Sequence, residues 1–242
     1  FEYVEVDGVL EVTAPSYRFD ITIEEDLIEE VARIYGFDRI PDELPFAQTT
    51  INVPSERSVS VHEVRARIAA LDYQEVINFS FVDADWEKQL TTNKDPIKLL
   101  NPIASQMSVM RSSLLAGLVK NIQYNARHRQ SRVRVFELGR VFWRDEDVTD
   151  GPLTVAGVNQ PMRVAAAAWG GAHDEQWALK TRPVDFYDVK ADVEALFGAR
   201  AKRLRFTVGS HQAFHPGRCA CISLGGQEIG WLGELHPQWV QC

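Results

Sequence analysis

Residues 219–235 read CACISLGGQEIGWLGEL. Two strand-like runs, 219–224 and 228–235, flank Gly225-Gly226, and paired glycines accept the positive φ angles that a two-residue hairpin turn demands. Strands joined this way are antiparallel. Reading back from the hairpin, 203–208 predicts a third strand, and 185–197 a helix that stops at Gly198. Further upstream, 163–169 reads as a buried strand and 132–143 as a long one. Residues 114–125 read as a helix with Leu114, Leu115, Leu118, Val119 and Ile122 on its apolar side. Residues 97–100 read as short and extended. A strand is expected over 75–82, with Ile77, Phe79 and Phe81 on one face and Asn78 and Ser80 on the other. A helix is expected over 60–71, where Ser60 and Glu63 form a capping box. Many strands with helices between them, and a hairpin among them, predict an α+β fold built on a largely antiparallel sheet flanked by helices.

The first 45 residues differ in character. Residues 9–23 read as extended, with Phe19, Ile21 and Ile23 alternating with polar residues. Thr22 and Glu25 have capping-box spacing, and a helix follows with Leu27, Ile28, Val31, Ile34 and Tyr35 on its apolar face. Gly36 supplies the stop. A Pro-punctuated linker then runs from Pro41 to Pro54 and marks the best boundary in the chain. The expected division is 1–45 and 46–242.

The chain has 242 residues, 45% hydrophobic and 25% charged, the composition of an ordinary globular protein and not of a disordered one. The net charge is −8, from 26 basic and 34 acidic residues, and it is unevenly spread. Residues 1–46 carry 13 acids and 3 bases, a net of −10, and the remainder carries a net of +2. A whole chain of this charge argues against non-specific binding of nucleic acid. No run of 18 apolar residues exists, so no membrane span is expected. Cys219, Cys221 and Cys242 make no disulfide framework and fit a reducing compartment. The chain begins at Phe1 without Met and mid-pattern, and it reads as an excised piece of a longer protein.

Chemistry-bearing residues fall into two groups. Asp26, Glu29 and Glu30 sit at i, i+3 and i+4 on one helical face, with Asp20 in the adjoining loop. Four carboxylates so placed suit a hard cation such as Mg²⁺. The same pattern also describes a solvated face whose acids favour a helix N-terminus. The second group is basic. Residues 111–144 carry Arg111, Lys120, Arg127, Arg129, Arg132, Arg134, Arg140 and Arg144 against Glu137 alone. Residues 200–218 carry Arg200, Lys202, Arg203, Arg205 and Arg218 with no acid. Such stretches suit phosphates or an acidic partner, or are plain exposed faces. His215, Cys219 and Cys221 offer no fourth ligand for a structural zinc site. Neither a GxSxG elbow nor a GxxxxGK[ST] loop occurs, so serine hydrolysis and a P-loop nucleotide site have no support.

The motifs resemble those of a known family. APSYRFDITIEEDLIEEVARIYGFDRIPDELP (14–45), VINFSFV (76–82), NPIASQMSVMRSSLLAGLVKNIQYNARH (101–128), VFELGRVF (135–142), FYDVKADVEALFG (186–198), HPGRCACI (215–222) and IGWLGELHP (229–237) follow one another as in the bacterial phenylalanine–tRNA ligase beta subunits. The resemblance covers nearly the whole chain and is weakest over 144–184. It implies that residues 1–45 end a small winged-helix-like domain. It implies that 46–242 form a class II aminoacyl-tRNA synthetase-like core without catalytic residues. The family works as a heterotetramer of two alpha and two beta subunits in the cytoplasm. It joins phenylalanine to tRNA(Phe) through an aminoacyl-adenylate made on the alpha subunit. The resemblance also implies a Mg²⁺ site shared with alpha, whose beta-side ligands fall on Asp20, Asp26, Glu29 and Glu30.

The residues support the non-catalytic reading independently. An adenylating core needs an arginine on a core strand for the ATP α-phosphate, because its fork grips phosphate bidentately. VFELGRVF lacks the Arg-x-Glu order there, and no Gly-rich run ending in Glu-Arg occurs. Two rivals remain: a free-standing tRNA- or nucleic-acid-binding module, and an independently active class II ATP-dependent ligase.

Overall fold

The computed structural model describes residues 1–43, 45–47, 55 and 59–240. The chain divides into two compact units, 1–55 and 56–242. Much of the expected linker, residue 44 and residues 48–54, lies outside the described residues, as does Cys242.

The first unit opens with a hairpin that the sequence reading placed only in part. Strand β1 (Glu2–Val6) pairs with β2 (Val9–Thr13), from Glu2↔Thr13 to Val6↔Val9. Asp7 and Gly8 make the turn with φ of 53° and 81°, the Asp-Gly chemistry of a two-residue hairpin. The extended stretch expected over 9–23 ends at Thr13. Helix α1 (Glu24–Tyr35) follows, and its start differs from the expected Thr22–Glu25 box. The Asp26 carboxylate reaches back to accept the N–H groups of Thr22 and Ile23 at 2.7 and 3.0 Å. Asp26 stands one residue beyond Glu25, in the third helical position, where a short carboxylate meets the orphan amides directly. Gly36, with φ of 99°, ends the helix, and its N–H donates to the Ala32 carbonyl. No residue of α1 is buried, and Ile28, Val31 and Ile34 stand exposed. The amphipathic face is present, but the described residues do not cover it.

The second unit begins with α2 (Val61–Ala69), where the Ser60 hydroxyl accepts the Glu63 N–H at 3.0 Å, as the spacing predicts. The strand expected over 75–82 is broken. Strand β3 (Gln74–Glu75) and β4 (Phe81–Val82) join different sheets, and 76–80 runs between them. The reason is visible at Asn78. Its side chain, not those of its apolar neighbours, points inward to a buried carboxylate, which leaves Ile77 93% exposed. Helix α3 (Ala84–Leu90) was not anticipated. Asp83 starts it by accepting the N–H groups of Asp85 and Trp86. Strand β5 (Val109–Met110) pairs with β4, and the extended run expected at 97–100 reduces to one bridge, Lys98↔Val109.

Helix α4 (Leu115–Arg127) buries Leu118, Val119 and Ile122, as its periodicity predicts. Leu118 and Ile122 pack on Val133 and Val135 of β6 (Arg132–Arg140). Strands β7 (Trp143–Arg144) and β8 (Val158–Asn159) form a small separate pair. Strand β9 (Met162–Gly170) lies antiparallel to β6 from Arg132↔Gly170 to Arg140↔Met162. Strand β6 is central in the order β3-β6-β9, and its pairing with β3 is parallel.

Helix α5 (Phe186–Phe197) starts from an Asp185–Asp188 capping box and ends at Gly198. It packs on a second three-stranded sheet, β10 (Leu204–Val208), β11 (Phe214–Leu224) and β12 (Gln227–Leu235), antiparallel throughout. Gly225 and Gly226 take φ of 63° and 89° at its turn, the predicted hairpin. A last turn of helix, α6 (Pro237–Val240), follows.

The fold is thus mixed, with helices laid on small sheets. Two sheets of three strands stand where one larger antiparallel sheet was expected, and one strand pair is parallel. Among the described residues no helix is long and apolar enough to cross a membrane.

Candidate functional site

The four acidic residues all lie in the first unit, and each is engaged differently. Arg18 follows a turn closed by its own N–H on the Pro15 carbonyl. That turn directs its guanidinium onto Asp20, with Nε at 3.0 Å from Oδ1 and Nη2 at 2.8 Å from Oδ2. The same Nη2 reaches Glu30 Oε1 on α1 at 2.7 Å. Arg33, one turn along the helix, holds the other Glu30 oxygen at 2.6 Å. Hydrogen bonds from Arg18 and then Arg33 hold the Glu30 carboxyl at a pKa of about 2. Arg18 likewise holds Asp20 below the usual carboxylate range. The Asp26 carboxyl is also held low, first by the amides of Thr22 and Ile23. Glu29 has no ion-pair or hydrogen-bond partner among the described residues.

Asp20 and Glu30 are therefore brought together through Arg18, Asp26 fastens the helix start, and Glu29 stands apart. Among the described residues no three His, Cys, Asp or Glu side chains gather as a cage for a metal ion. The donor chemistry nonetheless fits a hard cation: oxygen ligands only, with three carboxyls held in their ionised form. Arg18 supplies the positive charge in this arrangement. Sequence reasoning missed it. The available signal was its spacing of two from Asp20, in a loop leading into an acidic helix.

The arginine-rich stretch 111–144 divides on inspection. Arg111 and Glu137 are 4% and 2% exposed, and Arg111 Nη1 meets Glu137 Oε1 at 2.6 Å. Arg111 Nε donates to the Arg140 carbonyl, and Asn78 Nδ2 donates to Glu137 Oε2 at 2.8 Å. Asn121 on α4 donates in turn to Asn78. The expected partner roles for phosphate therefore do not hold for Arg111, which is interior. Arg134 pairs with Asp192 of α5, which also accepts the Tyr73 hydroxyl at 2.8 Å. Arg132 pairs with Asp72, and Arg144 with Asp95. One-dimensional charge counting sees no acid nearby because these acids arrive from other elements. In the 200–218 stretch, Arg218 pairs with Glu234, while Arg200, Lys202, Arg203 and Arg205 stand exposed and without ion pairs among the described residues.

A second buried acid, Glu87 on α3, was also missed. It accepts the Ser112 N–H at 2.9 Å together with the Ser112 and Thr91 hydroxyls. Burial pushes its carboxyl up, and its Oε2 has no hydrogen-bond partner among the described residues. Cys219 and Cys221 are free thiols on β11; burial pushes both up, away from thiolate reactivity.

Comparison with known proteins places this geometry. Residues 40–242 match the model of the phenylalanyl tRNA synthetase beta chain CLM domain, and residues 1–37 match the tRNA synthetase B5 domain. The phenylalanine–tRNA ligase beta subunit of Bordetella bronchiseptica is 63% identical over 230 residues, which is 95% of this chain and 29% of that protein. That of Cupriavidus pinatubonensis is 56% identical over 236 residues, 97% of this chain and 29% of that protein. The chain thus spans 29% of the length of the curated relatives it matches. A solved pyrrolysyl-tRNA synthetase from Desulfitobacterium hafniense covers 74% of this chain and 62% of its own at 13% identity and a TM-score of 0.49, too loose a likeness to carry an argument. Because one family model runs across the whole second unit and relatives above 50% identity cover almost the entire chain, this chain belongs to the phenylalanyl-tRNA synthetase beta chain family.

Proposed function

We propose that this chain is a non-catalytic scaffold part of a phenylalanine–tRNA ligase beta subunit. In this reading a partner alpha subunit carries adenylation, and two alpha and two beta subunits attach phenylalanine to tRNA(Phe) in the cytoplasm. Residues 1–45 act as the end of a winged-helix-like domain, and 46–242 as a class II synthetase-like core. What carries the reading is the interior of that core. On central strand β6, the interior position of FELGR is Glu137, which is consumed by Arg111 and Asn78, while Arg140 stands exposed at the strand end. The interior guanidinium groups there, Arg111 and Arg134, are held by Glu137 and Asp192, so among the described residues none inside this core is left to stabilise charge built up in adenylation.

Asp20, Asp26, Glu29 and Glu30 would hold the Mg²⁺ shared with alpha. The ion would supply structural charge neutralisation between subunits. The chain's own residues set the terms. Asp26 keeps the helix start fixed, Glu29 has no partner among the described residues, and Arg18 bridges Asp20 and Glu30. In the assembled two-subunit enzyme, added Mg²⁺ is expected to raise the thermal midpoint, and Asp26→Ala with Glu30→Ala is expected to abolish that rise. Since Asp26 also caps α1, the quantity to read is the metal-dependent difference. Glu29→Gln, which touches no cap, should reduce it too. An undiminished Mg²⁺ response in both variants contradicts the assignment.

A further inference from the structure

The second unit presents a short run of exposed cations that form no ion pair among the described residues. Arg200 and Lys202 lie in the 3-10 turn Gly198–Arg203, Arg203 closes it, and Arg205 follows on β10. Alternation along β10 turns Leu204 and Phe206 inward to the core that α5 covers. Arg203 and Arg205 therefore share the outward side, about 7 Å apart by strand rise. Strand β10 is an outer strand of its sheet, and among the described residues no strand pairs with its far edge.

Among the described residues, cations without ion pairs are most closely spaced here. Ten arginines elsewhere among the described residues stand in ion pairs: positions 18, 33, 65, 67, 111, 132, 134, 144, 182 and 218. Arg39, Arg127, Arg129, Arg140 and Arg163 stand in none, and neither do Arg200, Lys202, Arg203 and Arg205, which gather within six residues. The flanking acids in sequence are both engaged, Glu194 by Lys190 at 2.5 Å and Glu228 by the Trp231 indole N–H at 2.9 Å. Arg205 does donate to the carbonyls of Lys202 and Leu204, which holds its guanidinium along the turn. In a chain of net charge −8, a row of four unpaired cations is complementary to a polyanion.

We propose that Arg200, Lys202, Arg203 and Arg205 form a contact strip for the phosphate backbone of RNA. The proposal rests on the reading of this chain as part of a tRNA ligase. Three of the four cations are arginines, whose planar fork takes phosphate oxygens two at a time. The strip carries no aromatic side chain among its outward residues, so it positions a backbone and reads no base. An acidic protein surface is the other polyanion to separate by experiment.

The test uses the full-length beta subunit assembled with alpha, and tRNA binding measured across a salt series. Arg200→Glu, Arg203→Glu and Arg205→Glu combined are expected to weaken tRNA binding on the order of tenfold. Loss of each phosphate contact should also flatten log Kd against log salt by about 0.7–0.9. The three changes to Lys together should keep most of the salt slope, because the charge remains. The positions are exposed, so the assembled enzyme should keep its thermal midpoint and its phenylalanine-dependent ATP–pyrophosphate exchange. An unchanged tRNA affinity and slope in the Glu variant, with tight binding by the unmodified enzyme, overturns the strip while leaving the ligase reading intact. Release of alpha from the Glu variant without loss of tRNA affinity per assembled enzyme also overturns it and makes the strip a protein contact. Absence of tRNA binding by the unmodified assembly removes the ligase reading itself.

Discussion

Arg111→Ala is expected to destabilise the second unit by about 3–5 kcal/mol, because it leaves a buried carboxylate without its counter-charge. The guanidinium does three things at once. It meets Glu137 at 2.6 Å, donates to the Arg140 carbonyl at 3.0 Å, and fills the space beside Gly139. Glu137 in turn orients Asn78, and Asn78 orients Asn121 on α4. Removal of the cation therefore strands a chain of polar groups that joins the 76–80 segment, β6 and α4. The measurement is the urea midpoint with its slope. Arg111→Met combined with Glu137→Leu should recover most of the loss, since a buried ion pair replaced by apolar groups of similar volume is often neutral or better. A single substitution costing under about 1 kcal/mol would place the pair in the class of exposed salt bridges and contradict its interior role.

Leu118→Ala is the second large effect, at about 2–5 kcal/mol. Leu118 is fully buried and packs with Ile122, Val133 and Val135, where α4 lies on the sheet. Removing it opens a cavity between two regular elements that cannot collapse without breaking the β6–β9 ladder. Leu118→Met keeps the volume and should cost less than about 1.5 kcal/mol. Equal losses for Ala and Met would mean that shape, not burial, dominates the site.

The elements that were legible in sequence are those whose signals are local. The Gly225-Gly226 turn, the Ser60 cap and the periodicity of α4 each reside within a few residues, and each forms as expected. What was not legible depends on distant partners. Asn78 looks like the polar, solvent-facing member of a strand until Glu137 is brought beneath it. That inversion breaks the expected 75–82 strand and turns Ile77 outward. Arg111 and Arg134 look like phosphate contacts until Glu137 and Asp192 are placed beside them. The periodicity of α1 places Ile28, Val31 and Ile34 on one apolar face, and they are uncovered by the described residues. For the acidic group, spacing alone placed Asp26, Glu29 and Glu30 on one helix. It gave no hint that Arg18 would bridge Asp20 to Glu30, because that contact depends on the turn at Pro15.

The scaffold account makes the core chemically silent and assigns adenylation to the alpha subunit. The most direct measurement is phenylalanine-dependent ATP–pyrophosphate exchange by the full-length beta subunit, alone and after addition of alpha. The account predicts no exchange by beta alone and clear exchange by the mixture. Exchange by beta alone, abolished by a substitution in this core, would contradict it.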